Sequence, residues 1–309
     1  VRRRLARARA ATPDRTAAGS GTLLTAPWIE DFLRAERLPA SYRTLIEEQH
    51  APLAQRIAAR AARRPARPWV VGICGPQGSG KSTLAASLRQ LLAAQGLRAA
   101  VLSLDDLYLT HAQRAALAGR VHPLLAQRGV PGTHDVALGL DVIARLGEPG
   151  TVALPSFDKA RDDRCALAQW PRVAAPLDVL LFEGWCVGAR PQAEAELVTP
   201  LNALERTEDQ QGVWRRYVNA ALAGDYQRLF AGLDELVLLQ AESFEHVYAW
   251  RLEQEHKLRE RLRATGADLA ATMDDAALAR FIQLFERLTR HILAEMPARA
   301  DERLAVRRA

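Results

Sequence analysis

Lysine is almost missing from this chain. Only Lys81, Lys159 and Lys257 stand among 42 basic residues. The skew suggests GC-rich coding, and under it each surviving lysine is worth following, because an ammonium is a flexible point charge and not a planar fork. Cysteine is nearly as scarce. Cys74, Cys165 and Cys186 have no metal-site spacing, and an odd, sparse set excludes a disulfide framework and suits a reducing, cytoplasmic setting. Cys74 and Cys186 lie in or just after expected strands and read as buried, inert thiols. No apolar run is long enough to span a bilayer, and no h-region marks a secretory signal. The formal net charge of +6 comes from two runs. One is Arg2, Arg3, Arg4, Arg7 and Arg9; the other is Arg56, Arg60, Arg63, Arg64 and Arg67. Outside them the chain is close to neutral. A nucleic-acid surface would spread basic and aromatic residues over one face instead. Neither a membrane nor a nucleic acid is therefore the expected partner, and the oligomeric state stays open.

At 49% apolar and 25% charged, the 309 residues have an ordinary globular composition. Residues 1–21, rich in Arg and Ala, read as a disordered basic tail, although their composition is also that of an organellar transit peptide. Residues 22–67 read as an N-terminal helical extension, with Trp28, Ile29, Phe32, Leu33, Tyr42, Leu45, Ile46, Leu53 and Ile57 at helical spacing. Residues 68–309 read as the main domain. Strands are expected at 69–74, 99–104, 151–155, 178–183 and 235–240. Helices are expected at 84–92, 112–127, 136–146, 209–230, 243–264 and 275–296. Strands alternating with helices imply a parallel sheet covered on both faces. The runs Val179-Leu180-Leu181-Phe182 and Leu236-Val237-Leu238-Leu239 lack polar alternation, as doubly covered strands should.

Between the first strand and its helix stands Gly75-Pro76-Gln77-Gly78-Ser79-Gly80-Lys81-Ser82-Thr83. This is G-x-x-x-x-G-K-[ST], the phosphate-binding loop of nucleoside triphosphatases, in the strand–loop–helix context it requires. Its glycines let the backbone wrap around phosphates, and N–H groups at the helix start point at the anion. Lys81 would reach the β- and γ-phosphates, and the Ser82 hydroxyl would hold Mg²⁺. Ligands of open α/β sheets gather at the carboxyl ends of strands. Two such ends carry acids: Asp105-Asp106 and Glu183. Asp105 is placed to accept a proton from an attacking hydroxyl, and Glu183 to hold the metal. A helix cap or turn is the bland alternative for Asp105-Asp106, and the catalytic reading is favoured over it.

Ser103-Leu104-Asp105-Asp106-Leu107-Tyr108 and Leu181-Phe182-Glu183-Gly184 together resemble the phosphoribulokinase and uridine kinase group of P-loop kinases. Further segments are similar to D-glycerate 3-kinases. Arg128-Gly129-Val130-Pro131-Gly132-Thr133-His134-Asp135 resembles R-G-x-P-G-T-H-D. Pro155-Ser156-Phe157-Asp158-Lys159, followed by Asp163-Arg164, resembles P-x-F-D-K…D-R. Phe182-Glu183-Gly184-Trp185-Cys186-Val187-Gly188 resembles F-E-G-W-x-x-G. The resemblance covers about residues 70–297. Two departures fall near the acceptor: Leu107 replaces an aromatic, and a glycine-rich stretch is shortened to Ala160-Arg161-Asp162-Asp163.

The resemblance implies a P-loop NTPase three-layer αβα sandwich with a mostly parallel sheet, N-terminal helices and a helical lid. It implies an ATP- and Mg²⁺-dependent kinase that phosphorylates a hydroxyl of D-glycerate to give 3-phosphoglycerate. Asp105 would be the base, with Lys81 and the loop amides on the phosphates. Asp106, Tyr108, His134, Asp135, Lys159 and Arg164 would meet the acceptor. Within that set Lys159 and Arg164 suggest an anion clamp, and His134–Asp135 an oriented imidazole–carboxylate pair, while Asp135 would also cap the helix from Val136. From the expected lid helix, Arg251 and Lys257 are candidates to neutralise the transferring group. Its Arg259, Arg261 and Arg263 read as members of helical ion pairs with Glu253, Glu255 and Glu260. Two alternatives remain open: a kinase of the same fold for a nucleoside, pantothenate or a sugar phosphate, and a nucleotide-dependent regulatory switch.

Overall fold

The computed structural model describes residues 28–64, 67–264 and 272–306. The expected basic tail at 1–21 lies outside the described residues. Five parallel strands form the central sheet in the order β2-β7-β1-β8-β9. They are β1 (Trp69–Cys74), β2 (Ala99–Ser103), β7 (Val179–Gly184), β8 (Glu235–Gln240) and β9 (Glu302–Ala305). Helices cover both faces, so the expected α/β sandwich with a mostly parallel sheet is the observed fold. Among the described residues no helix is long and apolar enough to cross a membrane.

Side chains alternate across a strand, and here the alternation sorts them into two cores. Val71, Ile73, Val179, Leu181, Val237 and Leu239 join the cluster on one face. It is closed by α1 (Trp28–Ala35), α2 (Ala51–Ala61) and α3 (Lys81–Ala94), through Phe32, Leu53, Ile57, Leu84 and Leu88. Val70, Cys74, Leu180, Phe182, Leu236 and Leu238 join the other. Its cover includes α5 (Val136–Arg145), α7 (Val213–Ala221) and α9 (Asp275–Glu295). The strands are therefore apolar on both sides, which explains their unbroken hydrophobic runs. Gly72 lies in a close approach: a Cβ there would stand 2.7 Å from Leu233 Cδ1, which would have to shift.

Several elements differ from the sequence expectation. The segment 112–127 is a helix, α4 (His111–Arg120), followed by a 3₁₀ turn (Pro123–Ala126). The chain breaks at Val121 and His122, and the His122 side chain accepts the Leu124 N–H. The helix expected near 209–230 is α7, a π turn (Leu222–Tyr226) kinked at Gly224, and a short helix Gln227–Phe230. The strand expected at 151–155 leaves the central sheet: β3 (Gly150–Ala153) pairs antiparallel with β6 (Arg172–Ala175). A second antiparallel hairpin joins β4 (Phe157–Asp158) to β5 (Asp163–Arg164). Sequence reasoning anticipated neither β6 nor β9.

One buried ion pair ties the cover together. The Arg287 guanidinium on α9 meets the Glu205 carboxylate on α6 (Ala203–Glu208) through two bonds, of 2.7 and 2.6 Å. It also donates to the carbonyls of Glu196 and Thr199. Glu205 is fully buried. Removing one partner of such a pair strands the other charge. Glu205→Ala is expected to lower unfolding stability by about 3 kcal/mol, read as a fall in the urea midpoint; an unchanged midpoint would show that the pair contributes no net stability.

Candidate active site

The parallel register sets the site. Ile73 on β1 and Ser103 on β2 both stand beside Glu183 on β7. The carboxyl ends of the three strands therefore lie side by side, and each opens into a chemically active segment. After β1 the loop 75–80 turns into α3. Gly78 and Gly80 adopt φ of 82° and 85°, and Gly80 is the left-handed residue immediately before the helix. Gly80 has open space around its Cα, so backbone conformation and not crowding favours glycine there.

Glu183 is buried, and its Oε1 accepts the Ser82 hydroxyl at 3.1 Å. Its Oε2 has no hydrogen-bond partner. A buried carboxylate oxygen with no partner, beside the P-loop hydroxyl, is the donor set a hard divalent cation takes. The residues present fit Mg²⁺, and Ser82 and Glu183 are the pair that would hold it.

After β2 the chain turns through a short 3₁₀ segment, with the Asp105 N–H capped by Ser103 Oγ. The Asp105 carboxylate accepts Lys159 Nζ–H at 2.6 Å and the Tyr108 hydroxyl at 2.8 Å. Burial pushes this carboxyl up, but the Lys159 and Lys81 charges overcome it and lower it to about 2. Asp106 accepts the Phe157 N–H at 3.0 Å. Burial, with the neighbouring Asp105 and Glu183 carboxylates, raises it to about 6. The two adjacent acids are thus driven apart, one kept ionised and one near neutrality.

Gln77, Gly78, Lys81, Asp105, Tyr108, Lys159 and Arg251 line a common cavity of about 280 Å³. Its remaining walls are Arg128 and an aromatic group, Trp185, Phe281 and Phe285. Trp185 and Phe281 each lie 5.1 Å from Phe285, ring centre to ring centre. Arg251 pairs with the buried Glu255 at 3.1 Å on α8 (Phe244–Ala264). The Lys257 side chain lies outside the described residues. Arg259 pairs not along its helix but with Asp275 on α9.

Two expected arrangements are not assembled. His134 and Asp135 do not face each other. His134 stacks on Tyr108 at 4.5 Å, and its Nδ1 meets the Tyr226 hydroxyl at 2.5 Å. Asp135 caps α5 through the Leu138 N–H and accepts Arg164 at 3.1 Å. Consecutive side chains in extended backbone point apart, and each found its own partner. Nor do Lys159 and Arg164 form a clamp. Lys159 lies on Asp105, while Arg164 is held by Asp135 and the Tyr108 carbonyl, away from the cavity lining. Trp185, Phe281, Phe285 and Arg128 line the cavity without having been expected there from the sequence, and Arg128 is the charged one. It opens a matched segment, and its isolation from other charges in sequence hid it.

A family model described as methylmalonyl Co-A mutase-associated GTPase MeaB matches residues 40–111, the stretch holding the P-loop. Among curated proteins, the uncharacterized kinase mug58 of Schizosaccharomyces pombe is 38% identical over 213 residues, 65% of this chain and 75% of that protein. The chloroplastic D-glycerate 3-kinase of Arabidopsis thaliana is 30% identical over 248 residues, 76% of this chain but only 50% of that protein. Among solved structures, the D-glycerate 3-kinase from Cryptococcus neoformans var. grubii superposes with a TM-score of 0.63 at 27% identity, covering 79% of this chain and 87% of that one.

Burial lowers the His134 imidazole to about 4. Between the ordinary histidine value and about 4 the unfolded chain binds a proton that the native site refuses. His134's contribution to stability is therefore complete above about 6.5 and is lost as the pH falls toward about 4. The His134 ring resonances, followed by NMR, are expected to titrate near 4; a midpoint near 6.5 would refute the buried neutral ring.

Proposed function

We propose, since the chain belongs to the family of P-loop kinases that includes the D-glycerate 3-kinases, that it transfers the γ-phosphoryl group of ATP to a hydroxyl of D-glycerate, giving 3-phosphoglycerate. One observation carries this reading. Asp105, at the end of β2, shares one cavity with the P-loop lysine and touches both Lys159 and Tyr108. The D-glycerate assignment itself draws on the Arabidopsis relative and the Cryptococcus structure. A cytoplasmic setting belongs to the same proposal and draws on the three free cysteines.

The chemistry follows from the arrangement. Phosphoryl transfer passes through a loose transition state, so alignment and charge neutralisation matter more than a strong base. The loop amides from Gly75 to Thr83 bind the phosphates, and Lys81 faces the transferring group. Mg²⁺ held by Ser82 and Glu183 would spread the phosphate charge. Asp105 orients the acceptor hydroxyl and takes its proton as the new O–P bond forms and the bond between the γ-phosphorus and the β,γ-bridging oxygen breaks, with ADP leaving. The Lys159 contact that keeps Asp105 ionised also weakens it as a base, so its role is chiefly to orient the hydroxyl, and Tyr108 fixes its direction. Arg251 faces the same cavity and would add positive charge where the phosphoryl group crosses.

The decisive assay is coupled ADP release from Mg-ATP with D-glycerate, a nucleoside, pantothenate or a sugar phosphate as acceptor. A large rate with D-glycerate alone is expected; stimulation by another acceptor alone would reassign the substrate. Asp105→Asn is expected to cut turnover about 10²–10⁴-fold while ATP still binds, and full activity in that variant would remove Asp105 from the mechanism. Glu183→Gln is expected to raise the Mg²⁺ concentration needed for half-maximal rate; an unchanged requirement would take Glu183 off the metal.

A further inference from the structure

We propose that Arg128 reads the charge of the acceptor, binding the carboxylate of a small hydroxy acid whose hydroxyl faces Asp105. The inference rests on the kinase reading above and names how the substrate class is chosen.

Arg128 lines the cavity together with Asp105, Tyr108 and Lys159. Its backbone is fixed by the residue that follows. Gly129 adopts φ of 136°, its carbonyl accepts the Trp185 indole N–H at 2.8 Å, and a Cβ there would stand 2.5 Å from the Phe285 ring. The side chain thus starts from a point held against the aromatic wall. Its guanidinium lies over the Phe157 ring, 5.6 Å from the centroid. One nitrogen pairs with Asp162 and the other donates to the Lys159 carbonyl at 3.4 Å. Nε–H and the remaining Nη hydrogens have no protein acceptor among the described residues.

Asp162 is a strut for this arrangement. It sits in the β4–β5 hairpin with φ of 53°, a left-handed conformation that a non-glycine residue holds only when its surroundings over-determine it. Its carboxylate is shared with Arg114, a fully buried guanidinium. Four of the five Arg114 N–H donors are taken, since it also donates to the carbonyls of Leu109, Ala126 and Asp162. One carboxylate therefore faces two guanidiniums, and the second, Arg128, is the one that reaches the cavity. The other described cations there are committed elsewhere or claimed by phosphate: Lys159 by Asp105, Arg251 by Glu255, Lys81 by its place in the P-loop. A planar fork with free donors, in a partly apolar cavity, is the usual protein match for a carboxylate.

The test compares D-glycerate with D-glyceramide, which keeps the hydroxyls and loses the charge, in steady-state ADP release by the full chain. Arg128→Gln is expected to raise KM for D-glycerate about tenfold to a hundredfold. The same variant should lower kcat/KM for D-glyceramide at least about tenfold less than for D-glycerate, because any loss transmitted through the hairpin falls on both substrates and only the charge contact is specific to the acid. Arg128→Lys should recover part of the loss, because it keeps the charge without the fork. Equal losses on acid and amide, or no change on the acid, would overturn the role. Should Arg128→Gln not fold, Arg128→Lys decides alone by the same acid-selective criterion. The wild type tests the kinase reading separately. If it ignores D-glycerate but phosphorylates a neutral acceptor, both proposals fall. If it phosphorylates a different acid, only D-glycerate falls, and the acid–amide comparison on that acid decides for or against Arg128.

Discussion

The parallel register of β1, β7 and β2 is the constraint on which the rest of this site depends. Glu183 stands beside Ile73 on one side and Ser103 on the other. That alignment brings the P-loop, the Glu183 carboxylate and the Asp105-Asp106 pair to one edge. It is enforced from both faces. Each strand gives alternate residues to two separate apolar cores, and a slip of one residue would exchange the two sets. The active edge is thus a by-product of burial: the hydrophobic sorting that makes the sheet also aligns its reactive ends.

The second layer of organisation is electrostatic and comes from outside the sheet. The β4–β5 hairpin delivers Lys159 to Asp105, and Arg114 and Arg128 pin the hairpin through Asp162. Two neighbouring carboxylates are differentiated by this. Burial pushes both up; on Asp105 the Lys159 and Lys81 charges overcome it, whereas on Asp106 burial prevails and the Asp105 and Glu183 carboxylates add to it.

Much of this was legible in the sequence because the signals were local. The P-loop declares itself by spacing, and Val179–Phe182 and Leu236–Leu239 by unbroken apolar runs. The acids at the strand ends follow once the strands are placed. What was not legible depends on contacts distant in sequence. Strand β9 has an alternately exposed pattern and exists because it extends β8 at the sheet edge. Strand β6 reads as loop until β3 pairs with it. The π turn at Leu222–Tyr226 sits where Tyr226 must reach His134 and the Gly132 N–H, a demand no helical periodicity records. Arg128 and the partners of His134 and Asp135 belong to the same class: their roles are fixed by which segment folds against them.

Charge around the cavity is almost wholly balanced before any ligand arrives. Lys159 has Asp105, Arg128 has Asp162 and Arg251 has Glu255; of the described cations lining the cavity, Lys81 is the one without a carboxylate partner. Apart from Lys81 and the N–H groups of Arg128 that have no acceptor among the described residues, an anionic ligand therefore gains a cation only by exchanging partners with a protein carboxylate. Exchange costs little where the displaced carboxylate keeps another donor, as Asp162 does through Arg114 and Asp105 does through Tyr108. It costs more at Glu255, which is buried. Selectivity then follows from geometry: an acceptor is bound well only if its own acid takes over a cation whose former partner is still satisfied. Arg128 meets that condition best, because Asp162 would keep the charged Arg114, whereas Asp105 without Lys159 would keep only the neutral Tyr108 hydroxyl.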